Sequence, residues 1–600
     1  MGYEHRFDQY DVNIEKPRPL VPRFLRLPVM ERCNARGDVL LKLDENSVRD
    51  LISTLRENQI ESVAIVLLHA YANPDHERRI RDILSAELPD LWISLSSEVC
   101  PEIREYERMS TASANAYVQP LMASYLTDLD SKLRTEGAVC PLFLMTSGGG
   151  LTTVQTARAH PIRLMESGPA GGAILAGHIA LECGLDKVLS YDMGGTTAKI
   201  CLIDEGKPQT SRTFEVDRQY RFTKGSGLPL RIPVIEMVEI GAGGGSIAKI
   251  DNLNRIQVGP ESAGSEPGPA CYDQGGEDAT VTDADVALGR IAPEGFAGGS
   301  MNLSPELSVG ALERAIGQKL NLDGPLAAFA VSEMVEENMS NAARVHAVEQ
   351  GKELAARTLI AFGGAAPLHA CRMAEKLNMD RVIIPQGAGV GSAIGFLAAP
   401  VSYEVVRSRY TKLEEFEPAA LSRMFSEMHI EAFDIVSAGA PGAELDERRI
   451  AYMRYIGQGH EIVVDLPVRD LKEADGAGLK AAFDKAYEDL FGRVIPSMQV
   501  EILTWALSIS TVQPPTDLRE EVARGPIAPT AGEQELFDAD RTDFVAAPVY
   551  QRNDLDPGMT LDGPALIMEA QTTTVVTDHF TAMINGVGHI ELRRKQGDSA

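Results

Sequence analysis

The 600-residue sequence has no apolar run that approaches the roughly 18 uninterrupted residues a membrane-spanning helix needs. Its first residues, Met1-Gly-Tyr-Glu-His-Arg6, also lack the apolar core of a secretory signal peptide. We therefore expect a protein without a membrane segment and with a cytoplasmic location. A chain of this length exceeds one ordinary domain, so two to four domains are expected, by the usual domain size of about 100–200 residues.

Cysteine is sparse and its spacing carries no recognisable motif. The sequence has seven cysteines, an odd number, and none of them forms a CxxC pair. This spacing fits neither a zinc ribbon nor a framework of disulfide bonds. We expect reduced cysteines that are mostly buried as small apolar side chains.

Positive charge is also in short supply. The sequence has 57 Lys and Arg residues against 86 Asp and Glu residues, which gives a formal net charge of −29. Binding to nucleic acid requires clustered Lys and Arg, so this balance argues against a nucleic-acid partner. It does not argue against ATP, because backbone amides and a metal ion usually hold the phosphates of a nucleotide.

What the sequence does contain is a repeated alternation of helical patterns and short apolar runs rich in β-branched residues. Clear predicted strands are Val63–Leu68, Lys187–Tyr191, Thr358–Phe362 and Arg381–Ile384. This alternation is typical of an α/β fold. From about residue 405 the sequence has more charge and proline, which indicates a separate C-terminal region with an internal break near Pro514-Pro515.

A glycine turn, Asp192-Met-Gly-Gly-Thr-Thr197, lies between a predicted strand and its return strand. The turn can hold a phosphate through the backbone amides of its glycines and the hydroxyl groups of its threonines. These residues are Gly194, Gly195, Thr196 and Thr197. Asp192 can hold Mg²⁺, which prefers carboxylates and keeps several water ligands. A plain hairpin turn explains the same residues, so composition alone leaves both interpretations open.

Three further glycine-rich segments follow. The first is the glycine run Gly241–Ser246, which includes Gly243 and Gly244. So many glycines cost conformational entropy on folding, so the run indicates close backbone packing or contact with a phosphate, and not a flexible linker. In the segment Phe362–Pro367, Gly363 and Gly364 join a strand to a helix and offer a small-residue surface on which a flat ring could lie. His369 follows nearby. It is either catalytic or structural, and a single histidine at the start of a helix is more often structural. The glycines of residues 387–395 do not match GxGxxG, which argues against a Rossmann site.

Motifs in a fixed order give a stronger signal than any single turn. They are Arg104–Arg108, Asn115–Val118, Ser167–Gly172, Asp192–Thr197, Gly241–Ser246, Gly259–Gly264, Pro267–Tyr272, Thr280–Ala284 and Phe362–Pro367. Together they resemble the A-type subunits of the hydantoinase/oxoprolinase family, which includes ATP-dependent N-methylhydantoinase, 5-oxoprolinase and nucleotide-binding subunits of acetone and acetophenone carboxylases. The resemblance covers about residues 1–400, with weaker matches at Tyr455–Glu461 and Asp562–Ala565.

The resemblance implies an α/β fold of the actin/hexokinase type, with two lobes, ATP in the cleft and an additional C-terminal α+β region. It divides the chain into the remainder of an N-terminal domain at residues 1–110, a core at 111–400 and a C-terminal domain at 401–600. Asp192–Thr197 is then the second of two phosphate loops, and Gly363–Pro367 is the adenosine segment.

The sequence departs from the family pattern in two places. Relatives typically begin with a first phosphate loop, D-x-G-G-T-F-T-D, and this sequence has none. A truncated or misassigned start and a lobe supplied by another chain are the two explanations. Lys199 stands where many relatives carry a second acidic residue, so a metal site with two carboxylates is not expected. The lysine either neutralises a phosphate or simply lies on the return strand.

The resemblance also implies a reaction, its cofactors and a partner. We expect a hydrolase subunit that uses ATP and Mg²⁺ to activate a cyclic amide, such as a hydantoin, 5-oxoproline or a lactam, by phosphorylating its carbonyl. Asp192 is the expected metal contact and catalytic residue, and Asp283 is a second catalytic candidate, for substrate contact or as a base. The expected partner is a B-type subunit in a hetero-oligomer. A ketone carboxylase subunit and a non-catalytic actin-like scaffold are the alternative functions.

Overall fold

The structure, a computed structural model, describes residues 6–220, 223–513 and 522–595. The chain forms two compact units, each assembled from separate stretches of sequence. Unit 1 consists of Met1–Ser167, Thr210–Val234 and Ala399–Pro514, and unit 2 consists of Gly168–Gln209, Ile235–Ala398 and Pro515–Ala600. The units therefore interleave, whereas the expected domains follow one another along the chain. The break expected near Pro514-Pro515 lies outside the described residues.

The N-terminal part of unit 1 is a small α/β layer around an apolar core. Strands Ser62–Ile65 and Trp92–Leu95 pair in parallel, close to the positions predicted for strands. Helix Asp75–Glu87 packs beside them, because its apolar side chains recur every three or four residues and share one face. The long helix Glu105–Thr135 contacts both strands.

The second part of unit 1 is a four-stranded antiparallel sheet. Its strands lie in the order Ser402–Lys412, Val500–Thr511, Leu445–Tyr455 and Ile462–Leu466. The last of these alternates buried and exposed residues, as expected where one face of a sheet is covered. Two helices pack on the buried face, Pro418–Gly439 and Asp475–Phe491.

The remaining elements of unit 1 are short. The helices are Glu45–Arg49, Leu51–Glu57, Ser96–Val99 and Val154–Ala159. The strands are Arg32–Cys33, Val39–Leu41, Phe143–Met145, Leu151–Thr153, Thr210–Val216 and Leu228–Ile235, the last of which ends one residue beyond the unit boundary.

Unit 2 is organised around a large mixed sheet. Strands Lys187–Met193, Thr358–Phe362 and Arg381–Ile384 run parallel and adjacent, which confirms the three predicted strands. Thr358–Phe362 is buried along its whole length, as expected for a central strand of a parallel sheet that is covered on both faces. The return strand Ala198–Asp204 pairs antiparallel with the first of them, and Val238–Ile240 pairs with that return strand.

The C-terminal residues complete the same sheet. Strand Ile590–Arg594 pairs antiparallel with Arg381–Ile384, and Phe580–Ile584 and Thr560–Asp562 continue the order. Four further strands form a separate sheet, namely Gly532–Asp538, Asp543–Gln551, Ala565–Met568 and Thr573–Val576. The described residues after 521 are therefore part of unit 2.

The remaining elements of unit 2 lie around these sheets. The helices are Ser167–Glu182, Val281–Ala287, Pro305–Leu312, Gln318–Leu320, Gly324–Glu349, Ala366–Leu377 and Gly391–Ala398. The other strands are Lys207–Pro208, Ser246–Ile250 and Ile256–Ser262. Across the described part of both units, no helix combines the length and the apolar character needed to cross a bilayer.

A buried charge network joins three helices of unit 2. The Nδ1 atom of His369 lies 3.0 Å from Oε1 of Glu336, and its Nε2 atom lies 3.3 Å from Oδ2 of Asp285. The guanidinium of Arg290 contacts the same two carboxylates at 3.3 and 3.1 Å and donates to Ser332 Oγ at 2.7 Å. His369 is fully buried, so its surroundings favour the structural interpretation over the catalytic one.

The network changes the protonation of its members. Burial alone would lower the pKa of His369, but Asp285 and Glu336 outweigh it and raise this pKa to about 9 from its ordinary 6.5. Burial would likewise raise the pKa of Glu336, yet Arg290 and His369 lower it to about 2. At neutral pH His369 is therefore protonated and Glu336 is ionised.

This shift predicts a pH-dependent stability. Because folding raises the pKa of His369, its contribution is complete below pH 6.5 and is lost as the pH rises through about 9. We expect His369→Gln to lower the free energy of unfolding by up to about 3 kcal/mol at pH 6 and by much less at pH 10. Urea unfolding of both proteins from pH 6 to pH 10 measures the difference. A constant difference over that range would contradict the assignment.

Candidate functional site

Two parallel strands of unit 2 end side by side at one edge of the large sheet. In the pairing of Lys187–Met193 with Thr358–Phe362, Asp192 lies opposite Phe362. The turns that follow these strands are in direct contact, since the amide of Ala365 donates to the carbonyl oxygen of Met193 at 3.0 Å. Ligands of open α/β sheets bind at this carboxyl edge. The structure thus brings together the two turns that the sequence singles out.

The turn after Asp192 has a closed base and an open tip. At its base, the Gly194 amide donates to the Thr197 carbonyl oxygen at 3.1 Å. Gly195 and Thr196 at the tip are exposed. Among the described residues, the amides of Gly195, Thr196 and Thr197 find no hydrogen-bond acceptor. No atom lies within 4 Å of the position that a Cβ would take on Gly194 or Gly195. The turn therefore presents free donors to open space.

The glycine run Gly241–Ser246 supports this turn from behind. The amide of Gly244 donates to Gly194 O at 3.0 Å, and the amide of Gly245 donates to Gly195 O at 2.6 Å. A Cβ on Gly243 would lie 2.7 Å from the backbone nitrogen of Thr196, so a larger residue would displace the turn. Since the Gly243 amide also donates, to Ser246 Oγ at 2.8 Å, the amides predicted here for cofactor contact are already used.

Asp192 lies at the root of the turn among polar groups. The hydroxyl of Ser392 donates to Asp192 Oδ2 at 2.9 Å. Burial raises the pKa of Asp192, and the Ser392 hydrogen bond and the charge of Lys199 oppose that rise. A divalent cation beside the carboxylate would hold it in the charged form. The sequence did not predict this role for Ser392, although its position in the glycine-rich segment 387–395 was a signal.

Lys199 places a positive charge beside the turn. Its ammonium group donates to Thr197 Oγ1 at 2.7 Å and lies 3.5 Å from Glu239 Oε1. The side chain is about four-fifths buried, with 19% of its surface exposed. Lys199 thus lies on the return strand Ala198–Asp204, with its ammonium group next to the turn. Neutralisation of a phosphate by this group stays a prediction.

The second turn is held by its own contacts. Gly363 has a φ of +95°, and its amide donates to Ala388 O at 2.7 Å. A Cβ there would lie 2.4 Å from Met193 O and 2.7 Å from Asp192 Oδ1. The carbonyl oxygen of Gly364 accepts from Thr572 Oγ1 at 3.0 Å. Sequence reasoning missed Thr572, because it lies more than 200 positions away and only folding brings it here.

The Asp283 carboxylate makes no hydrogen bond to either turn within the described residues, although the amide of the adjacent Thr282 donates to Gly244 O at 2.7 Å. This carboxylate is fully buried and caps the helix Val281–Ala287 through a reciprocal bond with Thr280. It accepts five hydrogen bonds, from Ala270 N, Cys271 N, Thr280 N, Thr280 Oγ1 and Ser308 Oγ. A carboxylate so fully satisfied fits a structural role and does not fit the predicted contact with substrate or the predicted role as base.

Comparison with known proteins shows what this arrangement is similar to. Residues 1–88 match the model of the hydantoinase/oxoprolinase N-terminal region, residues 108–405 match that of hydantoinase/oxoprolinase, and residues 413–595 match that of the C-terminal domain. Caprolactamase subunit alpha of Pseudomonas jessenii is 31% identical over 99% of this chain and 85% of its own length. The chain belongs to the hydantoinase/oxoprolinase family.

Other members of the hydantoinase/oxoprolinase family are similar over most of their length. The acetophenone carboxylase gamma subunit of Aromatoleum aromaticum is 29% identical over 94% of this chain and 78% of its own. The crystal structure of ATP-dependent caprolactamase from Pseudomonas jessenii has a TM-score of 0.83 at 30% identity and covers 99% of this chain and 86% of that one. The structure of nucleotide-free acetone carboxylase has a TM-score of 0.78 at 26% identity, and the match covers 96% of this chain and 82% of that one. The mixed α/β fold is thus shared with both enzymes.

The contact at Gly363 predicts a sharp difference between two adjacent glycines. Gly363→Ala should lower the free energy of unfolding by about 1–3 kcal/mol, because the new methyl group meets backbone and the φ is strained for alanine. Gly364→Ala is the matched control, since the atom nearest to its Cβ is 3.7 Å away, an ordinary contact. Thermal or urea unfolding of the two variants tests this, and equal stabilities would contradict it.

Proposed function

We propose that this chain is the nucleotide-binding subunit of an ATP-dependent hydrolase that opens a cyclic amide of the hydantoin, 5-oxoproline or lactam type. The observation that carries the proposal is the Asp192–Thr197 turn, which has three amides without an acceptor among the described residues, two of them at its exposed tip, and a carboxylate at its root. Anion nests of this kind hold phosphates. The similarity to caprolactamase, an enzyme that acts on a lactam, supports the choice of substrate class.

The residues at the turn fit ATP and Mg²⁺. The amides of Gly195 and Thr196, together with Lys199, would hold phosphate oxygens. Asp192 would hold Mg²⁺, directly or through water, because this cation prefers carboxylate ligands and retains waters. Bound there, Mg²⁺ would supply positive charge against the oxygens of the phosphoryl group being transferred. The small-residue surface at Gly363 and Gly364 would receive the adenosine ring.

We also propose that unit 2 is one lobe of an actin/hexokinase-type ATPase. Its antiparallel hairpin carries the Asp192–Thr197 turn, and the adjacent parallel strand carries the Gly363 turn. Both turns come from one sheet edge, so a nucleotide held at the first would reach the second. Acetone carboxylase and caprolactamase, whose structures are similar to this chain, are ATP-dependent enzymes, which supports this assignment.

The proposed chemistry overcomes the stability of the amide. Transfer of the γ-phosphoryl group of ATP to the carbonyl oxygen forms an oxygen–phosphorus bond and releases ADP. Water then attacks the activated carbonyl carbon, and the ring carbon–nitrogen bond breaks as the nitrogen takes up a proton, which leaves an acyl phosphate. A second water hydrolyses the acyl phosphate to the carboxylate and inorganic phosphate. The chain contributes position and charge, since donors fixed before the reaction stabilise the developing charge without reorganising.

A B-type subunit is the proposed partner. Several relatives are named as single subunits, among them caprolactamase subunit alpha and the acetophenone carboxylase gamma subunit. We therefore propose a hetero-oligomer in which this chain supplies nucleotide binding and the partner contributes to the site of ring opening.

A ketone carboxylase subunit is the second candidate function. It is favoured by the acetophenone carboxylase relative at 29% identity and by the likeness to acetone carboxylase. The same turn would serve it, because activating a ketone enolate or bicarbonate also requires a phosphoryl group held in place. The two candidates differ in substrate and in the need for bicarbonate.

Reconstitution distinguishes the candidates. The chain is co-expressed with its B-type partner, and ADP release is measured with hydantoin, 5-oxoproline, lactams, and ketones with bicarbonate. The hydrolase predicts stimulation by one cyclic amide, with one ADP formed for each ring opened. Stimulation only by a ketone with bicarbonate would replace the hydrolase with the carboxylase. No stimulation by any substrate would contradict both and favour a non-catalytic scaffold.

Replacement of Asp192 tests the turn itself. Asp192→Asn keeps the shape and an acceptor for Ser392 but removes the charge that would hold Mg²⁺. In the reconstituted pair we expect turnover of ATP to fall by at least about a hundredfold, since metal-stabilised charge is worth several kcal/mol. Asp578→Asn, at a half-exposed carboxylate elsewhere in unit 2, is the matched control and should leave turnover unchanged. Normal turnover in Asp192→Asn would remove Asp192 from the site.

A further inference from the structure

Three side chains of different chemistry converge in the N-terminal part of unit 1. Glu31 and Cys33 lie on either side of Arg32 at a short strand, and His76 lies in the first turn of helix Asp75–Glu87. The Nδ1 atom of His76 is 2.8 Å from Oε2 of Glu31 and 3.8 Å from Sγ of Cys33. One ligand atom from each residue lies within 4.8 Å of the other two.

These separations suit a tetrahedral metal centre. With Zn²⁺ bonded to nitrogen and oxygen at about 2.0–2.2 Å and to sulfur at about 2.3 Å, neighbouring ligand atoms lie about 3.3–3.7 Å apart. The observed distances bracket this range, so small side-chain movements would place one ion between the three groups. The side chain of His76 is 13% exposed, which leaves water access to a fourth position.

The local charges favour a cation. Cys33 is 2% exposed, and burial raises the pKa of its thiol, to which the carboxylates of Glu31 and Asp75 add. A divalent ion would displace the proton of the Cys33 thiol and take the thiolate as a ligand. The carboxylates of Glu31 and Asp75, whose negative charge disfavours a thiolate at Cys33, would attract the ion.

We propose that Glu31, Cys33 and His76 bind one Zn²⁺ ion and thereby join the strand Arg32–Cys33 to the helix Asp75–Glu87. Thiolate and imidazole ligands select Zn²⁺ or Co²⁺, whereas Mg²⁺ requires oxygen ligands. The site is thus chemically distinct from the Asp192 turn, and it does not depend on the proposed function. Binding would release the thiol proton and leave the His76 proton on Nε2.

Cobalt titration of the full chain tests the site. The chain is stripped of metal with a chelator and titrated with Co²⁺, which reports a thiolate ligand by charge-transfer absorption. We expect one equivalent to bind with this absorption and Zn²⁺ to displace it. Cys33→Ser and His76→Gln should each weaken binding by more than about 100-fold, since even loss of an outer-shell group costs 10–100-fold. Cys140→Ser, at an exposed free cysteine, is the matched control and should bind as the unaltered chain does.

A further variant keeps the test decisive if Cys33→Ser does not fold. Glu31→Gln retains the thiol and an acceptor for His76 but removes the carboxylate ligand, so it too should lose tight binding. Absence of the charge-transfer absorption at one equivalent would overturn the proposal. Equal affinity in Cys33→Ser, His76→Gln and the unaltered chain would also overturn it. Either result would leave Glu31 and His76 as a hydrogen-bonded pair only.

Discussion

The candidate site depends on a backbone contact between Gly363 and the end of the strand Lys187–Met193. A Cβ at position 363 would lie 2.4 Å from Met193 O, so a side chain there would push the two strand ends apart. With glycine, the parallel strands end together and the Ala365 amide reaches the same carbonyl oxygen. The position of Asp192 relative to the second turn follows from this contact.

In the Asp192–Thr197 turn, the amides of Gly195, Thr196 and Thr197 have no hydrogen-bond acceptor among the residues that the structure describes. Amides of the glycine run Gly241–Ser246 donate to the carbonyl oxygens of Gly194 and Gly195, whereas the amides at the tip of the turn make no such bond. An anion would therefore meet donors that are already oriented, which is the condition for strong electrostatic stabilisation. A net charge of −29 does not argue against the proposed phosphate site, because the donors that would hold the phosphate are backbone amides and one lysine.

The sequence predicted the strands that carry the candidate site, and the contacts that it did not predict share one cause. Strands Thr358–Phe362 and Arg381–Ile384 were predicted at their observed bounds, because a strand buried on both faces is a continuous apolar run. The role of Ser392 and the contact from Thr572 were not predicted, since both arise from pairing between distant segments. The Glu31, Cys33 and His76 cluster was hidden for the same reason, as their spacing matches no metal motif.

The carboxylates of Asp192 and Asp283 differ in the number of hydrogen bonds they accept. Asp192 and Asp283 both lie in motifs of the hydantoinase/oxoprolinase family, and sequence alone does not separate their roles. Their environments do, because five donors saturate Asp283, whereas Asp192 accepts from Ser392 beside an open turn. The number of hydrogen bonds that a buried carboxylate already accepts therefore distinguishes a helix cap from a group free to take a cation.

The C-terminal residues are bound to the candidate site by the sheet itself. Strand Ile590–Arg594 covers the edge of Arg381–Ile384, which would otherwise expose unpaired backbone groups. From the same C-terminal stretch, Thr572 fixes the carbonyl oxygen of Gly364. The C-terminal part of unit 2 thus contributes strands to the sheet that carries the turns and one hydrogen bond to the second turn, although it is distant from both turns in sequence.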